Sequence, residues 1–182
     1  MNRIFYPLAL LGALALGGVL VLGLYLHAHD IRDHLDREAQ RLATVHRLSG
    51  IAAGVFVLFV ESVVVTYFVG TSRWCKEVSE TYRLGDEFVR TSTELKRKAF
   101  PISLVGMLIV VAISAFGAAA DPGVRLRVDE VWADIHLIVA LGGISLIIGG
   151  FFFQSHYIRG NHQVIEQVMA EVKRIRSERG LT

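Results

Sequence analysis

One cysteine, three prolines and two tryptophans stand in 182 residues, and only 20% of the residues are charged. With Cys75 alone, no intrachain disulfide can form, which excludes a disulfide-stapled secreted fold. So little charge cannot keep a chain disordered, nor furnish the basic surface of a free nucleic-acid-binding domain. No nucleic acid is expected as a partner. Also missing are a glycine-rich phosphate loop, a nucleophile elbow and a zinc-protease motif, so hydrolases and ATP-driven pumps are disfavoured and the chain leans away from enzymes.

What the sequence does have is apolar length. Hydrophobic residues make up 53% of the chain and gather into four stretches almost free of formal charge: Ile4–Leu26, Leu48–Ser72, Ala99–Ala120 and Ile135–Ile158. About 20 residues at 1.5 Å rise cross a hydrocarbon core of about 30 Å, so each stretch is a membrane span. The expected fold is an all-α integral membrane protein of four transmembrane helices. Asn2–Arg3 before an apolar run resembles a secretory signal, but the run is too long and no small-x-small cleavage site stands clearly before Asp30.

Four spans put both termini on one side. Arg3, seven basic residues in 73–98 and five from Arg159 to Arg179 fall on the terminal side; Arg32, Arg37, Arg41, Arg47, Arg125 and Arg127 fall on the other. The positive-inside rule then predicts a multi-pass protein of the cytoplasmic (inner) membrane with both termini cytoplasmic. Tyr6, Tyr67, Trp74 and Tyr157 would form the inner aromatic belt, Tyr25 and Trp132 the outer one. Cys75 would lie in the reducing compartment as a structural thiol.

Self-comparison predicts a tandem repeat of two two-span hairpins. At an offset of 94, Arg3, Tyr6, Pro7, Leu8, Leu10, Leu11 and Gly12 fall on Arg97, Phe100, Pro101, Ile102, Leu104, Val105 and Gly106. At an offset of 90, Ala43 and His46 fall on Ala133 and His136, then Tyr67 and Gly70 on Tyr157 and Gly160. Matched Arg, Pro, His, Tyr and Gly weigh more than matched leucines, which any two spans share. The expected units are residues 1–84, with spans 4–26 and 48–72, an outer amphipathic helix 30–46 lying on the membrane surface and a cytoplasmic extension 73–84; a connector helix 85–98; and residues 97–182, with spans 99–120 and 135–158 and a C-terminal cytoplasmic helix 161–179. Gly85 is expected to end the first extension, Pro101 to interrupt the connector at the membrane, and Asn161 to cap the last helix. Two units of one orientation imply a pseudo-two-fold axis along the membrane normal and a four-helix bundle with helical extensions.

Four groups could carry chemistry. His46 and His136 occupy one repeat position near the outer interface, with Gly50 and Ala53 one and two turns inward on one helix, and Ala140 and Gly143 on the other. A b-type haem needs neutral histidines at matched height and a helix face without bulk beneath them, so these six residues form the candidate cofactor site. Small faces also serve close helix packing, which is the plainer reading. The segment His46-Arg47-Leu48-Ser49-Gly50 resembles the His-Arg-x-x-Gly openings of helices in succinate dehydrogenase membrane anchors and haem A synthases. That resemblance covers five residues and implies that His46 and Arg47 lie near a haem or quinone end; Leu137 stands where a second Arg would be wanted, and neither family's span pattern is present.

His27, His29 and His34, with Asp30 and Glu38 on the face of His34, form an outer group that could take zinc or copper. Glu61 stands alone about 13 Å from the inner end of its span at helical rise, and its repeat position is Phe151. A charge there costs about 2.5–3.5 kcal/mol on insertion scales, so Glu61 must meet protein, water or a ligand, or hold its proton. His156 closes the set at the inner end of span four, beside Gln154 and Ser155. The sequence thus predicts a non-catalytic subunit or assembly factor of a larger membrane complex, in contact with lipids and other membrane-protein subunits. The alternative is a haem b electron-transfer or quinone-handling subunit of a respiratory or photosynthetic complex, with a bis-histidine site at the outer side.

Overall fold

The computed structural model describes residues 1–29, 37–121 and 130–180. Four α-helices follow one another: α1 (Asn2–Ala28), α2 (Arg37–Tyr82), α3 (Asp86–Ala120) and α4 (Glu130–Glu178). Each is long and apolar enough to cross a membrane, and in lipid a helix satisfies its own backbone hydrogen bonds. The chain is a multi-pass membrane protein.

Among the described residues, the breaks expected between the second, third and fourth spans and their flanking helices are absent. Arg37–Tyr82 is one helix of 46 residues, so residues 37–46 are the first turns of the spanning helix rather than a separate helix on the membrane surface. Residues 30–36, including Asp30 and His34, lie outside the described residues, as does the second outer loop from Pro122. Pro101 sits inside α3 without ending it, and Pro7 sits inside α1. A proline in a spanning helix forfeits one backbone bond, and its neighbours absorb the loss. Asn161 is not a cap either, because α4 runs through it to Glu178.

The α2–α3 turn is also built differently from expectation. Arg83 takes the left-handed backbone position at φ 56°, and the Leu84 amide donates to Ser79 O at 2.9 Å, closing the end of α2. Gly85 instead precedes the first turn of α3 in an extended conformation, φ −64° and ψ 149°. Asp86 and Glu87 then occupy that turn, where acidic side chains complement the positive end of the helix dipole.

Around the bundle the helices follow in chain order, each touching the next, with α4 closing on α1; α2 also meets α4 across the centre, while α1 and α3 lie on opposite flanks. Val57, Val60, Val64 and Phe68 of α2 meet Ile144, Ile147, Phe151 and Ile158 of α4 in the core, completed by Phe5 and Leu16 of α1 and Val110 of α3. Leu14, Val21, Ile51, Val55, Leu108, Ile138 and Leu146 face outward, as lipid permits and water would not. Beyond the apolar region α2, α3 and α4 continue as a stalk. Cys75, Val164, Val168 and Val172 form its core, covered by Trp74, Val78, Tyr82, Phe88 and Val89.

Candidate functional site

Polar residues are buried at three levels of the bundle, and each level joins α2 to α4. At the loop end, His46 and His136 meet with ring centroids 6.4 Å apart and planes at 75°. Each ring rests on a glycine of the flanking helix. A Cβ added to Gly23 would come within 2.9 Å of His46 Cε1, and one added to Gly117 within 3.1 Å of His136 Cε1. The main chain of Val19 interacts with the His46 ring and that of Ile113 with the His136 ring. Gly23 and Gly117 are separated by 94 positions, as are Val19 and Ile113, while the histidines are separated by 90. In both rings Nδ1 is buried without a hydrogen-bond partner. A buried unsatisfied polar atom costs about 1–3 kcal/mol, so this pair is expensive as mere packing.

The small residues expected to line a haem slot do not face open space. Gly50 receives Val19, its Cβ position lying 3.6 Å from that side chain, and Gly143 receives Ile109 and Ile113 at 2.7 and 2.8 Å. Ala53 and Ala140 are buried. A porphyrin between the histidines would have to displace these three aliphatic side chains. Arg47, placed near the site by the five-residue resemblance, instead bonds Asp121 at 2.7 Å and ties α2 to the end of α3.

The middle level is centred on Glu61, 1% exposed. Gln154 Nε2 donates to Glu61 Oε2 at 2.5 Å and to Ser103 Oγ at 3.0 Å, so α2, α3 and α4 are joined at one point. Gln154 Oε1 has no partner. Turning the amide over would set Oε1 against both oxygens, which would then donate, an arrangement that needs the proton on Glu61. The carboxyl fits only because Gly106 lies beside it: a Cβ there would stand 2.6 Å from Oε1. On the other flank Gly12 faces Phe151, whose ring lies 3.4 Å from the Cβ position. Glu61 and Phe151 stand 90 positions apart and Gly12 and Gly106 94, the two offsets of the expected repeat, with an acid in one contact and a ring in the other.

At the stalk end Asn161, wholly buried, donates through Nδ2 to Thr71 Oγ1 at 2.8 Å and accepts at Oδ1 from Ser92 Oγ at 3.1 Å. Arg159 donates to the Tyr6 hydroxyl at 2.5 Å, holding the start of α1 against α4. Cys75 lies just beyond, 1% exposed, where burial pushes its thiol up.

The remaining sequence candidates do not converge. His156 is exposed beside Tyr157, whereas Gln154 points inward and Ser155 bonds the Phe152 carbonyl, so the three form no cluster. His27 approaches Asp134 at 3.6 Å, and His29 bonds the Tyr25 carbonyl at 2.9 Å with its ring over that of Tyr25. Among the described residues no three His, Cys, Asp or Glu side chains are grouped to hold a metal; His34 is outside them. The histidine pair was legible in the sequence, but Gln154 and Ser103 as partners of Glu61 were not. Gly23 and Gly117 carried a usable signal in their 94-residue spacing.

Among the described residues, a hollow of about 420 Å³ opens in the stalk beside Lys76, Ser79 and Arg90, and another of about 670 Å³ on the outer face of α2 beside Ser62, Thr66 and Gly70. Comparisons with protein-family models, with curated proteins and with solved structures each found no match.

Proposed function

We propose that this protein is a non-catalytic scaffold subunit or assembly factor of a larger membrane complex, standing in the cytoplasmic membrane with both termini and the stalk on the cytoplasmic side. The observation that carries this reading is the continuity of α2 and α4 from the bilayer into the stalk. At 1.5 Å per residue these helices measure about 69 and 74 Å, against about 30 Å of hydrocarbon. A rigid post with its own core suits docking. The membrane part favours the same reading, since its acid is closed off by Gln154, Ser103 and Gly106 rather than set along a water path.

The architecture we assign is a tandem repeat of two-span hairpins about a pseudo-two-fold axis. Supporting it are two contacts between residues 90 positions apart, His46 with His136 and Thr71 with Asn161, as a pseudo-two-fold axis between α2 and α4 would give. The matched glycine seats at Gly23 and Gly117 favour it too. The basic-residue bias assigns the orientation.

A second reading, a b-type haem or quinone-handling subunit with His46 and His136 as axial ligands, has the ring spacing in its favour and the filled Gly50 and Gly143 notches against it. The visible spectrum of protein purified from haem-replete cells tests the two. The scaffold reading expects no Soret band. A low-spin b-type spectrum lost in His46→Ala and in His136→Ala, but kept in His156→Ala, would overturn it in favour of haem.

A further inference from the structure

We propose that His46 and His136 form a two-coordinate site for a single monovalent soft cation, Cu(I), bound through the two Nδ1 atoms. The proposal does not depend on the scaffold reading. Two imidazoles bound trans to one metal at nitrogen distances near 2.0 Å place their ring centroids about 6.3 Å apart, and the measured separation is 6.4 Å. Edge-on ring packing would give a similar separation, so the spacing does not decide. The unpartnered nitrogens do.

In a neutral imidazole one nitrogen carries the proton and the other a lone pair. With each ring protonated at Nε2, the lone pair falls on Nδ1. Both Nδ1 atoms are buried and unpartnered. Two buried, unpartnered nitrogens on rings 6.4 Å apart suit one shared electrophile, and the glycine seats at Gly23 and Gly117 hold both rings in place.

The identity of the ion follows from what surrounds the pair. No third His, Cys, Asp or Glu side chain among the described residues joins it, so the tetrahedral set that zinc requires is not there. Two neutral imidazoles cannot offset a double charge in an apolar setting, whereas a single charge shared by two nitrogens is less costly. A porphyrin iron would need the room now filled by Val19, Ile109 and Ile113.

The test uses the full chain, purified in detergent, stripped of metal and titrated anaerobically with Cu(I) in competition with a colorimetric Cu(I) chelator. Cu(I) should bind at one per chain in the wild type and equally in Cys75→Ser, His29→Ala and His156→Ala. His46→Ala and His136→Ala should each lose it. X-ray absorption should report two nitrogen neighbours and no sulfur, and Zn(II) should not displace the ion. Because a histidine variant could misfold, Gly23→Ala and Gly117→Ala serve as a second pair: each pushes a ring without removing it, and each should weaken binding about ten-fold or more with helicity and elution unchanged. Complete loss of Cu(I) from the wild type to the chelator, retention in the double histidine variant, sulfur at the copper, or unchanged affinity in both glycine variants would overturn the proposal.

Discussion

Asn161 donates to Thr71 across the centre of the bundle at 2.8 Å, and these two residues stand 90 positions apart, as do His46 and His136. The same 90-residue spacing therefore recurs at two α2–α4 contacts, one towards each end of the bundle. Between them the contact changes character, from imidazoles through Glu61 and Gln154 to an amide and a hydroxyl.

Asn161 satisfies two hydroxyls at once, so Asn161→Ala should leave Thr71 and Ser92 without it and destabilise the protein by about 1–3 kcal/mol. Thermal unfolding in detergent measures this. Asn161→Asp keeps the shape but cannot donate to Thr71, and should fall between the wild type and the alanine variant.

Glu61→Gln should fold and insert like the wild type, because an amide can still bond Gln154 and fits beside Gly106. Glu61→Lys should lower insertion or stability, since a cation there meets only neutral groups. Gly106→Ala should destabilise the wild type but not Glu61→Ala, which removes the atom 2.6 Å from the new Cβ; Gly17→Ala, with nothing within 4 Å, is the control. Equal losses from Gly106→Ala in both backgrounds would mean that the acid is not what the glycine accommodates.

Orientation cannot be read from Cys75, which is buried and has its thiol pushed up. In a Cys75→Ser background, cysteines at exposed Glu80 or Ser177 should resist a membrane-impermeant maleimide in intact cells and react in inverted vesicles. Reaction in intact cells would place the stalk outside.

At the end of α4, Arg174 bonds Glu171 and Glu178, and its hydrogen bond holds the Glu171 carboxyl below the ordinary carboxylate range. A depressed acid contributes stability above its unfolded value and loses it as pH falls through the folded one. The last turns of α4 should therefore fray below about pH 4, read as faster amide exchange over residues 171–178 while the spans stay protected. Added salt should weaken the effect at neutral pH, because the pair is exposed.

The four spans were legible because lipid demands long apolar runs, and the histidine pair because polar residues are rare enough for a matched spacing to stand out. Helix continuity was not. Asn161 and Pro101 carry the local signatures of helix ends, yet α4 passes through Asn161, whose amide is buried between Thr71 and Ser92. Pro101 is carried inside α3, as spanning helices tolerate a proline. The small residues Gly50 and Gly143 read equally as a ligand slot or a packing notch, since what fills a notch lies on a different helix. Glu61 announced that it needed a partner, but which glutamine would reach it depended on how α4 rotates.

The central claim is that this bundle is a fixed part of a larger membrane assembly, and the mass of the particle that carries it is the most direct test. Tagged protein extracted from its native membranes in mild detergent should travel in a particle far heavier than the 20.1 kDa chain. That particle should hold another membrane protein at fixed stoichiometry and dissociate when exposed stalk charges such as Lys76, Glu80 and Arg90 are reversed. A particle containing this chain alone, unchanged by those reversals, would contradict the account.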